Sequence, residues 1–420
     1  MPSPIYTSIS LFTGAGGLDL GLHQAGFTSR VAIESDQEAI NTLLINRERW
    51  KNCTIIERKI ESVSSIEILE AGKISSSEVT LLVGGPPCQP FSKSGYWHSG
   101  DAKRLSDPRA QTLKQYFRVM EDLLPEVFLI ENVPGLAFSS KDEGLTFLKD
   151  SIHLINRLKG TNYSFHAAKL NAVEYGIPQT RERVFVVGHR DGKKFSFPAS
   201  THTKPASRKQ RCNNQEAQSV LVNNLLPYST AWDALAEIES SDDVNLLPKG
   251  KWADLLPSIP EGHNYLHHTN RGEGLPLFGW RRRYWSMLLK LAKNRPAWTI
   301  TAQPGPSTGP FHWLNRRLSQ QELAALQTFP KGYLISGSIL SSHKQLGNAV
   351  PSALAEIMGL EIRRQLLGES ELKISSTLIP AKREDLPAPE KPRRVPKKYQ
   401  SLLGDHDPHP GPGLGPGALQ

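Results

Sequence analysis

Cys88, Glu131 and the arginines Arg181 and Arg183 are the side chains whose types and settings could do covalent chemistry. Cys88 lies in Gly84-Gly85-Pro86-Pro87-Cys88-Gln89-Pro90-Phe91-Ser92, directly after the apolar run VTLLVG (79–84). An isolated cysteine is more often an inert core residue. Here the glycines and prolines make a tight, polar turn, and its N–H groups would favour the thiolate over a thiol of ordinary pKa about 8.5. Cys53 and Cys212 have no such setting, and Cys212 reads as an exposed bystander. Glu131 closes the run VFLIEN (127–132). A thiol and a carboxyl at the ends of neighbouring strands suit covalent attack on an acceptor ring with proton donation to it. A helix N-cap acid is the plainer alternative for Glu131. In Gln179-Thr180-Arg181-Glu182-Arg183 the two arginines, two apart on an extended segment, point the same way and could hold a phosphate and a base edge. A surface ion-pair ladder through Glu182 competes with that reading.

A second constellation could hold a cofactor. Phe12-Thr13-Gly14-Ala15-Gly16-Gly17 follows the run SISLF (8–12), and Glu34 ends the next run, RVAIES (30–35). Glycines let the backbone turn and approach a ligand, a helix start offers free N–H groups, and a carboxylate about twenty residues later can accept from a ribose diol. A dinucleotide fingerprint needs a third glycine where Asp19 stands, so it fails. The spacing suits a nucleoside cofactor without a pyrophosphate, such as S-adenosylmethionine; a purely structural glycine turn is equally good.

These groups need strands to carry them. SISLF, RVAIES, VTLLVG, VFLIEN and RVFVVG (183–188) are short, nearly continuous apolar runs, the pattern of parallel strands covered on both faces. Helical patterns lie between them at 18–26, 110–124 and 145–159, which predicts an α/β sheet with right-handed crossovers. From Asp191 to about Asn315 periodicity is lost. Helical order returns with the capping box Ser319/Glu322 and again after Pro351. The expected organisation is an α/β domain over 1–190 and 316–370, interrupted by an irregular domain over 191–315. Residues 381–398 hold seven Lys or Arg against three Asp or Glu, and the last twenty residues hold five Gly and four Pro. Residues 371–420 therefore read as a disordered tail, and deletion of 378–420 is expected to leave turnover nearly intact.

The 420 residues carry 50 Lys and Arg against 41 Asp and Glu, a net charge of +9 that tolerates a polyanion without proving one. Three cysteines are too few for a disulfide scaffold. No run reaches the roughly 18 apolar residues of a membrane span, and the start has no signal-peptide pattern. A reducing, cytoplasmic setting is expected. No His/Cys cluster has metal-ligand spacing; His267-His268 is an isolated pair in a polar loop.

Taken together and in order, SLFTGAGGLDLGL (10–22), VAIESD (31–36), GGPPCQPFS (84–92), DPR (107–109), LIENVPGL (129–136), YGIPQTRERVFVVG (175–188), RRLSQQELAALQTFP (316–330) and QLGNAVP (345–351) resemble the C5-cytosine-specific DNA methyltransferases of bacterial restriction-modification systems. The resemblance implies a Rossmann-like, mostly parallel sheet with an inserted target-recognition domain at 191–315. It implies S-adenosylmethionine as cofactor and a cytosine flipped out of double-stranded DNA as substrate. By the same resemblance Cys88 would add to C6, Glu131 would bond N3, and Arg183, Arg181 and Gln179 would hold the base, its phosphate and the catalytic loop. Phe12, Gly14, Gly16, Gly17, Glu34, Ile60, Pro87 and Asn348 would contact the cofactor. Ser92, Arg281, Arg282 and Arg283 would contact DNA. One departure is Lys59-Ile60-Glu61, where relatives carry an aspartate for the adenine amino group; either Glu61 substitutes, the matching position lies elsewhere, or cofactor affinity is reduced. The expected protein is a bacterial, nucleoid-associated monomer, partnered functionally with a restriction endonuclease. Two alternatives are the branch that methylates transfer RNA and a DNA-binding regulator with the same fold but no chemistry.

Overall fold

A computed structural model describes residues 5–87, 111–136, 143–204, 225–239, 243–281 and 284–404. Its centre is a seven-stranded sheet built from β1 (Tyr6–Leu11), β2 (Phe27–Glu34), β3 (Thr54–Glu57), β4 (Leu81–Gly84), β5 (Val127–Asn132), β6 (Ser164–Asn171) and β7 (Glu182–His189), in the order β3-β2-β1-β4-β5-β7-β6. All contacts among β1 to β5 are parallel, and β7 runs antiparallel to both β5 and β6. Strands β1, β4 and β5 are buried along their whole length, as expected for central strands covered on both faces.

The helices are α1 (Gly17–Gln24), α2 (Gln37–Ile45), α3 (Ser65–Gly72), α4 (Gln111–Leu123), α5 (Glu143–Lys159), α6 (Ala231–Leu235), α7 (Gln320–Leu326), α8 (Ile339–Asn348), α9 (Ser352–Leu366) and the single turn α10 (Lys397–Gln400). Alternate residues of each strand feed two cores. Leu82, Phe128, Ile130, Val184 and Val186 pack beneath α4 and α5. Leu81, Val83, Leu129, Phe185 and Val187 pack beneath α1 and α9. Helices α1 and α9 cross closely because Gly21 has no side chain: a Cβ there would lie 2.1 Å from the Ser352 carbonyl oxygen.

The expected mostly parallel sheet with flanking helices is present, and helices 18–26, 110–124 and 145–159 fall on α1, α4 and α5. Two strands escaped the sequence reading. β3 has only four residues and β6 is an edge strand of mixed polarity, so neither shows a continuous apolar run. RVFVVG is a strand, but it runs antiparallel.

Two expectations about organisation require correction. The irregular segment from 191 to 315 is not one separate unit. Ala231, Leu235, Leu291, Ala297, Ile300 and Trp313 belong to a core shared with α1, α2 and α7. An independent core is confined to residues such as Leu256, Tyr265, Phe278 and Leu288, joined by Phe311 and Tyr399. The tail is also not disordered through its length: residues 371–404 are laid along the molecule. Leu372, Ile374, Leu378 and Ile379 pack against the α1/α9 core, while Tyr399 enters the core of the insert. Its charges are used in pairs with the body, which is why a charge-rich, proline-rich stretch orders here. Residues 405–420 lie outside the described residues.

Candidate active site

The antiparallel course of β7 builds the site. In its register with β5, Glu131 lies opposite Phe185 and Asn132 opposite Val184. Side chains two apart share a face, so Arg183 stands diagonal to Glu131 on the same side of the sheet. A parallel β7 would have put Arg183 at the far edge. The Arg183 Nε lies 3.0 Å from Glu131 Oε1, with both side chains largely buried. Burial raises the Glu131 carboxyl above its usual range, and the neighbouring arginines only partly oppose it. Glu131 Oε1 has no well-aligned hydrogen bond among the described residues. Its charge partner is Arg183, and its remaining lone-pair capacity is unused.

The Gly84–Pro87 loop is pressed against this carboxyl. A Cβ on Gly85 would sit 3.2 Å from Glu131 Oε2. The Asn132 Nδ2 donates to the Pro86 carbonyl at 3.1 Å, and the Thr112 hydroxyl donates to the Pro87 carbonyl at 3.2 Å. Asn132 and Thr112 were not singled out from sequence. The signal for Asn132 was its place beside Glu131 at a strand end. Cys88 and Ser92 lie outside the described residues, but the chain enters position 88 from this loop, and Pro87 is exposed there.

Arg181 and Gln179 are placed elsewhere than expected. Both are completely buried and turned into the protein rather than toward a cleft. Arg181 donates to the carbonyls of Ile300, Gly347 and Ala349 at 3.2, 2.7 and 2.8 Å. Burial, with Arg183 beside it, works against its charge, and these three acceptors offset that cost. Gln179 accepts from the Ile300 N–H at 3.2 Å and donates to Gln327 at 3.0 Å. Neither has a free face for a substrate. They pin the segment before β7 to residues 297–300 and to the turn after α8.

The glycine loop divides by cause. Gly16 has φ +83°, and a Cβ would strike Trp50 at 2.6 Å; at Gly17 it would strike the Val350 carbonyl at 2.5 Å. Packing requires glycine at both, and at Gly16 the left-handed backbone favours it as well. Gly14, at φ +57°, has nothing within 4 Å of a built Cβ, and its N–H donates to Glu34 Oε2 at 2.7 Å. Phe12, also at positive φ, is partly exposed beside them. Open space over a left-handed glycine, flanked by a carboxylate and an aromatic ring, fits a nucleoside-bearing ligand. Glu34 Oε1 already accepts from the N–H groups of Ser35 and Asp36 at 2.7 and 2.8 Å, so its carboxylate is held in place. Asn348 is exposed at the C-terminal end of α8, whereas Ile60 is buried in the sheet core and Glu61 is exposed beside it. Asp19, where the dinucleotide fingerprint would need glycine, is wholly buried and accepts from the Ser10 hydroxyl at 2.9 Å.

The family model for the C-5 cytosine-specific DNA methylases matches residues 6–364. The chain belongs to that family. It is a DNA cytosine-5 methyltransferase. It is 37% identical over 380 residues to the Type II methyltransferase M.SacI of Streptomyces achromogenes, covering 85% of this chain and 93% of that protein. It is 40% identical over 237 residues to M.AquIA of Picosynechococcus, covering 55% and 88%. Among solved structures, a putative DNA modification methyltransferase from an Escherichia coli prophage superposes with TM-score 0.54 at 22% identity, over 86% of this chain and 99% of that one. The Schizosaccharomyces pombe Dnmt2 methyltransferase gives 0.54 at 17%, over 85% and 98%.

In the insert of the methylase Arg281 is exposed, while Arg282 and Arg283 lie outside the described residues. The tryptophans divide. Trp313 is core, and Trp252 packs on Phe278. Trp285 and Trp298 form an exposed edge-to-face pair with centroids 5.5 Å apart, beside the exposed Tyr284. His268 is a core residue rather than a ligand: burial lowers it to about 4, and its Nε2 meets the Ser258 hydroxyl at 2.8 Å.

Proposed function

We propose that the methylase modifies C5 of a cytosine held out of double-stranded DNA at a short recognised site, with S-adenosylmethionine as methyl donor. The observation that carries this reading is the Glu131 carboxyl: buried, held by Arg183 at 3.0 Å and pressed against the loop that leads to Cys88. A protonated carboxyl donates to cytosine N3, which draws electrons from the ring and makes C6 susceptible to the Cys88 thiolate. Addition at C6 forms the carbon–sulfur bond and makes C5 nucleophilic. The donor, when bound, would supply an electrophilic methyl group to C5, its sulfur–methyl bond breaking as it leaves as a neutral thioether. After methylation a base takes the C5 proton, the C6–sulfur bond breaks and Cys88 leaves as thiolate. Arg183 holds Glu131 in place and limits how far burial raises it. Gly14, Glu34 and Phe12 frame the donor, with Pro87 and Asn348 at its margins; residues 243–315, with Arg281–Arg283, supply DNA recognition. In its host, the methylase works as a bacterial cytoplasmic monomer that protects sites from a partner endonuclease.

The test uses labelled S-adenosylmethionine with duplex DNA and transfer RNA side by side, followed by bisulfite sequencing of the DNA. Label should enter the duplex at one sequence. Cys88→Ala should abolish transfer while keeping site-specific binding, because binding rests on backbone and base contacts. Glu131→Gln should reduce turnover by about 10²–10⁴-fold. Turnover retained in Cys88→Ala, or label entering only RNA, overturns the proposal.

A further inference from the structure

After α9 the chain does not stop at the catalytic core. It crosses to α6 and then to the core of the insert, and at each stage it satisfies a buried group. Glu356, inside α9, accepts from the Thr377 N–H at 2.9 Å and from the Thr377 hydroxyl at 2.9 Å. Asp233 of α6 accepts from Lys382 Nζ at 2.8 Å and from the Arg383 N–H at 2.8 Å. Lys293 and Glu261, an ion pair almost without solvent, receive Glu390: its carboxylate lies 2.9 Å from Lys293 Nζ and its N–H donates to Glu261 at 2.8 Å. Tyr399 ends the run. It is 4% exposed, stacks on Trp252 at 5.6 Å and 23°, and donates to the Lys251 carbonyl at 2.6 Å.

We infer that residues 371–404 are a positioning strap that holds the insert onto the catalytic domain and thereby sets the affinity for DNA. Without the strap Asp233 keeps only its bonds from Thr230 and Lys293 only its pairing with Glu261, so at two separate places a buried charge loses part of its hydrogen bonding. The core it closes at Trp252 is small, so the loss of Tyr399 opens a substantial share of it. The groups of the reaction, Glu131 and Arg183, receive none of these contacts. The strap should therefore act on DNA binding and leave chemistry alone. This rests on the reading of the insert as the DNA-recognition region.

The experiment compares the full chain with a chain ending at Ser370, on the same duplex DNA and with S-adenosylmethionine affinity measured separately. The expected result is a rise in KM for DNA of about tenfold or more. Affinity for S-adenosylmethionine should stay within twofold, and turnover at saturating DNA should be largely kept. A synthetic peptide of residues 371–404 added to the shortened chain should restore the low KM. Where the shortened chain fails to fold, Glu390→Ala with Tyr399→Ala in the full chain releases only the far end, and a severalfold rise in KM for DNA is expected. An unchanged KM for DNA in either form, or a loss confined to turnover, overturns the strap. Failure of the full chain to methylate any duplex would overturn the underlying reading instead.

Discussion

At the scale of single residues, burial decides what each titratable group can do. Asp19 is the clearest case outside the reacting centre. It is enclosed between β1, β2 and α1, bonded to Ser10 and close to Ser29, and burial raises its carboxyl to about 7. The folded chain thus keeps a proton that the unfolded chain releases from about pH 4 upward. The unfolded state binds fewer protons across that window, so stability falls as pH rises from about 4 to about 7 and levels off above. Asp19→Asn removes the titration and keeps the shape. Its stability relative to the parent should increase across that window, by at most about 4 kcal/mol in total, from about 3 pH units at about 1.4 kcal/mol each. Urea midpoints at several pH values read the difference directly; parallel curves would show that Asp19 ionises freely in the fold. Cys53 follows the same rule, its buried thiol pushed up to about 12 by burial.

At the scale of elements, the glycines separate holding a ligand from packing a helix. Gly21 is where α1 meets α9, and an added methyl group would collide with backbone. Gly21→Ala should cost about 1–3 kcal/mol, the usual penalty for overpacking, with cofactor affinity falling only as the fold loosens. Gly14→Ala meets no neighbour but is strained at positive φ, so it should cost about 1 kcal/mol while weakening S-adenosylmethionine binding at least tenfold. Thermal melts with and without S-adenosylmethionine distinguish the two; equal effects on both readouts would refute the division. The same contrast explains what could be read from sequence. Continuous apolar runs expose β1, β2, β4, β5 and β7, and Glu131 and Arg183 can be named because they flank two such runs. The direction of β7 could not be read, since apolarity is the same in either direction, yet that direction is what brings Arg183 to Glu131. Nor could the inward turn of Arg181, because its acceptors, Ile300, Gly347 and Ala349, are more than a hundred residues away.

At the scale of the whole molecule, the net charge of +9 has two distinct uses along the strap. Lys382, Arg383 and Lys398 are taken up by Asp233, Glu237 and Asp254 of the body, and so serve attachment. Lys391, Arg393, Arg394 and Lys397 are exposed, with no ion pair recorded among the described residues. Exposed charges of this kind contribute little to stability but add to the long-range field that draws a polyanion inward. Changing all four to glutamine lowers the net charge from +9 to +5. The melting temperature should be nearly unchanged, because the paired residues and Tyr399 remain. Association with duplex DNA should slow by about two- to tenfold at 0.05 M salt, and the difference should vanish near 0.5 M, where screening confines the field to a few ångströms. Stopped-flow association across that salt range tests it. Slowing that persists at high salt would mean that these residues touch DNA directly, and a lowered melting temperature would mean that they belong to the attachment.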